Sequence, residues 1–512
     1  MLGMHMGRVP APSAREESGE IHRLDTYDWL QMINRASIVS NVEEGLLEKP
    51  LARRILTALN TLRDEAAKPN AVRPELYITF EPEVLKLVGM EASVLHVGRS
   101  SQDILATANA GLNIARLMRL LDAIHEVDCA LLEVARREDG ALVPAYTNGV
   151  QAQPTLYSHY LLAQHQVFMR DAARIFECIR RYDVSPMGAC VCNGTGWPLN
   201  VERMAQLLGF SRPLTNAFDV GQCAGNDLPL EMSQIISAVM LHVNAFLADF
   251  MVQYADPHPW IRWESTNGLY CSSAMPQKRN PGLINDCRRD AGLVIGEAQG
   301  VMLRIQNLQL GMADVRDAQV LEALADDACV TLRTFAGIVR ELVVDRKRAL
   351  AELNADWTCT QELADRLVRC GVDFRNAHHF ASHLVTQARA AGTTPPELDY
   401  GEAKSLWLEW RSTLQNACDI PDSFPLSEKA FLGALDPAGI VAARATIGSA
   451  NPELVAKGIL RAQQEAARIK AEIDALVDHA QKNGICSLKK HSRAYLPIRR
   501  QLMRQLYYWG SL

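Results

Sequence analysis

The sequence predicts an all-α protein, with three helical domains built around a central bundle of long helices. Three observations carry this reading. Leu and Ala are abundant while aromatic residues make up only 6% of the 512 residues, a mixture that favours helices packed by aliphatic side chains over a β-sandwich. Residues 104–137, 155–182, 227–254 and 282–309 each read as one helix, far longer than the usual three turns. In the first of these, Ile114, Leu117, Leu121 and Ile124 alternate spacings of three and four and so share one helical face. Leu131 continues that face, and Asp128 is its one polar interruption.

Along the chain, residues 1–20 read as a flexible arm. A helix follows from Tyr27, with Leu30, Ile33, Ile38 and Val42 roughly at helical spacing and Gly45 and Pro50 punctuating its end. Two more helices are expected around 51–67 and 81–89, and Gly98 then opens a polar break, HVGRSSQD. The long helices come next. From about Asn354 the helices shorten and Pro, Gly and Trp return. The expected domains are therefore 1–98 with its arm, a central bundle over 99–352, and a small helical domain over 353–512 ending in a basic tail. No strand pattern competes. A helix of 30 residues spans about 45 Å, and rods of that length need partners along their flanks, so a homo-oligomer is expected.

With 48% hydrophobic and 22% charged residues, the composition excludes disorder, collagen and a disulfide miniprotein. The net charge of -6 gives no general affinity for nucleic acid. From Lys482 onward there are seven Lys/Arg and no Asp/Glu, which reads first as a solvated basic tail and second as an anion or membrane-surface contact. Twelve cysteines are scattered without a CxxC pair, so free thiols in a reducing compartment are expected and no metal site is. No signal-peptide core and no stretch of 18 apolar residues appears, and a soluble cytoplasmic protein is the expectation.

Three polar, small-residue segments interrupt the helical patterns, and loops at helix ends are where sites are usually built. The first, His96 to Asp103, offers hydroxyl and amide donors at a helix N-terminus, which suits a carboxylate; its plain reading is an N-cap by Ser100 or Ser101. The second, AYTNGVQAQP over 145–154, reads as helix initiation, with Pro154 in the first turn of the next helix. The third, Thr266 to Pro281, is a long loop between two long helices, and its 268–277 stretch of small, uncharged residues suits a flap. Two serines, Lys278 and Asn280 there supply one base or nucleophile and cationic or amide donors for an oxyanion; the plain reading is a mobile linker.

The third segment contains SSAMPQKRNP, which resembles the fumarase/aspartase superfamily signature, close to GSSxMPxKxN. HVGRSSQD is similar to HTGRSRND of the argininosuccinate lyase branch, and AYTNGVQAQPTLYSHYLLA to its GYTHLQRAQPxLLSHHLLA. PMGACVCNGTGWPLNVERMAQLLGF and TNAFD resemble that branch too. The likeness covers most of residues 25–310. It implies a homotetramer of three-domain helical subunits, with composite sites from several subunits and no cofactor. The implied reaction is removal of a proton next to a carboxylate, with release of fumarate from a succinyl compound.

The resemblance makes Ser272 the catalytic base. It places Lys278 and Asn280 as carboxylate holders, Ser100 and Thr147 against the fumarate half, and Gln153 at the motif glutamine. The departures matter as well. Cys271 replaces the glycine before the serine. Ser101 and Gln102 replace an arginine and an asparagine, and serine cannot grip a carboxylate as a guanidinium does. The motif histidine is Asn148, and its glutamate partner is Asn285; asparagine does not titrate and cannot serve as a general acid. Asp286, His159 and Tyr146 are candidate replacements by sequence proximity. Met312 falls where a tyrosine would contact the amino-acid tail. The expected function is therefore elimination of fumarate from an N-substituted aspartate or related succinyl compound other than argininosuccinate. Two alternatives are a C–O or C–C lyase or cycloisomerase on a polycarboxylate, and a non-catalytic structural or regulatory homologue.

Overall fold

The computed structural model describes residues 21–22, 24–265, 268–310, 318–414, 420–483 and 487–488. The 1–20 arm, Met312 and most of the basic tail lie outside these residues. The short strands β1 (Ile21–His22) and β8 (Ser487–Leu488) pair antiparallel. Between them the described residues are mostly helical, as the aliphatic periodicity predicts.

Helix α1 (Thr26–Glu43) starts at Asp25, whose side chain accepts from the Asp28 amide while Asp28 reaches back, a reciprocal cap. Helices α2 (Lys49–Ala66) and α3 (Tyr77–Val88) follow, and a 3₁₀ segment, Met90–His96, leads to the polar break. Helix α4 (Ser101–Arg137) runs 37 residues. Its predicted face is buried: Leu117, Leu121, Ile124 and Leu131 have no exposed surface, and each contributes roughly 1.5–3 kcal/mol through burial.

The next stretch departs from expectation. Residues 142–156 form a β-hairpin, β2 (Leu142–Thr147) and β3 (Val150–Leu156), and Pro154 lies inside β3. It does not open helix α5 (Tyr157–Tyr182). The two residues between the strands, Asn148 and Gly149, both have positive φ, 51° and 77°. A two-residue turn of this kind matches strand twist and selects Asn-Gly.

Helix α6 (Val201–Leu208) and a π-helical turn, Asp219–Cys223, precede α7 (Ala224–Tyr254). The run from Asp219 to Tyr254 is long and apolar enough to cross a membrane, although no unbroken apolar stretch predicts it. In the fold, Ile236, Val239, Val243 and Leu247 on this helix are wholly buried in the protein core. Strand β4 (Ile261–Trp263) then leads to a second small hairpin, β5 (Leu269–Cys271) and β6 (Arg279–Pro281). The expected long loop is therefore shorter than predicted and framed by strands. Helices α8 (Gly282–Ile305) and α9 (Ala318–Arg340) complete the bundle, and β7 (Leu342–Val344) pairs with β4.

Helices α10 (Arg346–Ala355), α11 (Thr360–Arg369), α12 (Phe374–Ala391), α13 (Tyr400–Ser412), α14 (Glu428–Leu435) and α15 (Pro437–Ala442) are short, as predicted. Trp357, Phe380, Trp407, Trp410, Phe424 and Phe431 belong to a core of their own. The shortening does not continue to the end. Helix α16 (Pro452–Asn483) spans 32 residues and returns to the bundle, where Ile469 and Ile473 join the large core.

Close packing leaves one glycine no freedom. A Cβ added at Gly111 of α4 lies 1.8 Å from the Trp29 ring, and Trp29 is fully buried. Gly111→Ala is expected to destabilise the protein by about 1–3 kcal/mol through overpacking. A denaturant titration that finds no loss would contradict this.

Candidate active site

The motif segments lie at two ends of the bundle. At one end, the first turns of α4, the last residues of α5, the π-helical turn and the end of α8 surround a cavity of about 540 Å³. At the other, β2, the first turns of α5, the last turns of α7 and β4 meet around a smaller one. Helix α4 separates the two by about 55 Å. Ser100, Ser101 and Gln102 therefore stand at the first end, while Thr147, Asn148, Gln153, Ser272, Lys278 and Asn280 belong to the second. The ten residues from Arg137 to Thr147 extend at most about 35 Å, so Thr147 stays roughly 20 Å or more from Ser100. One chain cannot bring its own motif residues into one cleft.

At the first end, Ser100 caps α4. Its hydroxyl oxygen accepts from the Gln102 amide at 3.2 Å, and Asp103 accepts from the Ser100 amide at 2.6 Å. The plain N-cap reading of this motif is thus satisfied, and the Ser100 hydroxyl keeps its proton to donate. Ser101 is exposed in the first turn. Gln102 donates from Nε2 to the Gly221 carbonyl at 2.9 Å, tying α4 to the π-helical turn. Arg99, which sequence reasoning passed over, is buried and donates to Ser37, Asn34 and Tyr77. It anchors the segment to α1 and α3.

At the second end, Thr147, Asn148 and Gly149 are exposed at the hairpin tip, and Asn148 holds the left-handed turn position. Gln153 donates to the Gln361 side chain of α11. The predicted flap is a tight loop between β5 and β6. The Ser272 amide donates to the Lys278 carbonyl at 3.2 Å, and the Lys278 amide to the Met275 carbonyl at 3.0 Å. Inside this frame the Ser272 hydroxyl oxygen accepts from the Ala274 amide at 3.3 Å and the Met275 amide at 3.2 Å. Two N–H dipoles converging on one hydroxyl favour its ionised form. Asn280 donates to the Tyr270 carbonyl at 3.4 Å, and Lys278 is exposed at the loop's end. Cys271 lies in the extended backbone of β5, where a side chain adds no backbone strain, so replacing glycine there costs nothing locally.

The three substitute acids differ in availability. His159 is held between Thr155 and the Gly448 carbonyl. Asp286 pairs with Arg289 at 2.7 Å. Tyr146 lines the smaller cavity, and burial pushes its hydroxyl above the usual tyrosine range.

Comparison with known proteins agrees with the motifs. A family model described as Lyase matches residues 17–296, and one described as Argininosuccinate lyase C-terminal matches 357–442. The chain belongs to the argininosuccinate-lyase-like branch of the fumarase/aspartase superfamily. Its curated relatives include the argininosuccinate lyase of Methanoculleus marisnigri, 29% identical over 90% of this chain and 93% of that one. The argininosuccinate lyase of Clostridium perfringens is 26% identical over 74% and 82%. Among solved structures, an EDDS lyase variant with bound fumarate superposes with a TM-score of 0.80 at 22% identity, covering 94% of this chain and 93% of that one. The 3-carboxy-cis,cis-muconate lactonizing enzyme from Pseudomonas putida superposes at 0.61 with 17% identity, over 87% and 96%. At such identities the structural likeness bears on the fold of this superfamily member and not on its substrate.

Proposed function

We propose that this lyase-family protein eliminates fumarate from an N-substituted aspartate or related succinyl compound, in sites assembled between subunits of a homotetramer. The observation that carries the reading is the Ser272 hydroxyl, held by two backbone amides in a loop that also presents Lys278 and Asn280. Ser272 takes the proton from the carbon next to the distal carboxylate. The C–H electron pair becomes the C=C bond of fumarate. The C–N bond breaks, and its electron pair leaves with the nitrogen, which gains a proton. Lys278 and Asn280 hold the carboxylate that gathers charge, and Ser100 and Thr147 hold the other half. Asn148 serves the hairpin turn and donates no proton, so the leaving nitrogen takes its proton from solvent or from a group other than the expected pair.

The same geometry supports a multi-subunit assembly. If a neighbouring subunit runs antiparallel, it brings its Ser100 end to this subunit's Ser272 end. Helices α7 and α8 offer a face for such packing: Leu241, Val252, Leu293 and Leu303 are exposed, and Gly292, Gly296 and Gly300 have open space where a Cβ would stand. Argininosuccinate is not the substrate we favour, because no guanidinium replaces the motif arginine at Ser101.

The test is incubation with a series of N-succinyl amines while fumarate absorbance is followed. A second arm mixes two inactive variants altered at opposite ends, Ser100→Ala with Ser272→Ala, and refolds them together. Shared sites predict that some activity returns in the mixture. Failure of all succinyl and polycarboxylate compounds with a folded tetramer would favour the non-catalytic reading, which the paired asparagines support.

A further inference from the structure

We infer that the group released with fumarate is an amine with an apolar body, aliphatic or aromatic, and not a guanidine or a polyamine. This rests on the elimination reading and names the other half of its substrate. The 540 Å³ cavity begins at Gln102, beside the Ser100 that we assign to the fumarate half. A substrate held there extends its nitrogen substituent into this space.

The wall sets the chemistry. Leu105, Ala106 and Ala110 of α4 face Ala224 and Leu228 of α7 across the cavity, with Ile305 of α8 at its end. Small residues on the two facing helices keep the space open. Its charged lining residues, Arg181, Arg212, Arg304, Asp219 and Asp227, are all exposed, and Arg181 is already paired with Glu231. A buried guanidinium or second ammonium needs a carboxylate beside it, and the unexposed part of the wall offers none among the described residues. What it offers is two amides. The Gln102 and Asn109 side chains line the cavity, and each keeps a buried carbonyl oxygen with no hydrogen-bond partner among the described residues. Buried acceptors of this kind call for a donor. One N–H group near the fumarate half and an apolar remainder satisfy both features.

The local backbone supports a built cavity. In the π-helical turn at its edge, Gly221 lets the 188–194 loop approach: a Cβ there would lie 2.1 Å from the Val191 carbonyl oxygen. Val191 itself has φ 78°, a costly conformation for a β-branched residue. The Gln222 side chain also donates to that carbonyl, at 3.2 Å.

The experiment measures fumarate release by the full chain from N-(1,2-dicarboxyethyl) derivatives of 2-phenylethylamine, 3-methylbutylamine, methylamine, agmatine and ethylenediamine. The two apolar amines are expected to exceed agmatine and ethylenediamine in kcat/KM by at least tenfold. Ala106→Phe, and independently Ala224→Leu from the opposite wall, should lower the phenylethyl-to-methyl ratio of kcat/KM at least tenfold. Calorimetric binding of 2-phenylethylamine in the presence of fumarate provides a readout that needs no turnover. If every derivative releases fumarate but agmatine or ethylenediamine is preferred, or the ratios do not move in either variant, the inference is overturned while the elimination reading stands. If none releases fumarate but 2-phenylethylamine binds and both variants abolish binding, the cavity assignment stands and the elimination reading fails.

Discussion

Ser272→Ala is expected to lower kcat/KM for fumarate release by about a thousandfold, in line with loss of a general base, without loss of fold. The hydroxyl is the loop atom that accepts from two backbone amides, donors suited to stabilise charge developing on it. Alanine removes both the base and the acceptor. The structural cost is small, because the loop is exposed and the freed amides meet water. Ser273→Ala, next door and exposed, should retain activity. Full activity in Ser272→Ala sinks the base assignment. Fumarate absorbance gives the rate, and circular dichroism shows that the helices remain.

The second large effect lies far from the chemistry. Asp128, the one polar residue on the α4 face, is fully buried and bonded to His165 Nδ1 at 2.6 Å. Glu465 of α16 lies 3.4 Å from His165 Nε2, so the imidazole links α4, α5 and the returning C-terminal helix. Burial opposes the ring's charge, but the Asp128 hydrogen bond and charge outweigh it and raise the His165 pKa above its ordinary value. Asp128→Ala leaves the histidine without its buried partner and is expected to cost about 3–5 kcal/mol. The pH sign follows from the raised value. The contribution is fully present below about pH 6.5 and is lost as the pH rises through the raised folded pKa. The denaturation midpoint of the native protein should therefore fall on that side of pH 6.5, and the slope should vanish in Asp128→Asn. A slope of equal size in that variant rules out this ion pair as its source.

The two results divide what was readable from what was not. The face of α4 was legible because a helix places every third and fourth residue on one side whatever it packs against. Asp128 looked like a blemish on that face, because its partner comes from another helix 37 residues away and periodicity says nothing of it. The β2–β3 hairpin was misread as a helix start. Its Asn148–Gly149 pair is itself a hairpin signal. The return of α16 was missed because its periodicity resembles that of any amphipathic helix, and only the core decides which surface it covers.

The site was legible as a set of residues and not as a place. By itself the sequence determined the helical class and the superfamily, and it nominated Ser272, Lys278, Asn280, Thr147 and Ser100, because these depend on local spacing and residue chemistry. Tertiary structure decided that these residues lie at two ends of a 55 Å helix, that two backbone amides converge on the Ser272 hydroxyl, and that an apolar cavity opens beside Gln102. The physical reason is the same in each case. Local patterns specify the direction and face of each element, while distances between elements depend on how the core packs, and no spacing along the chain records that.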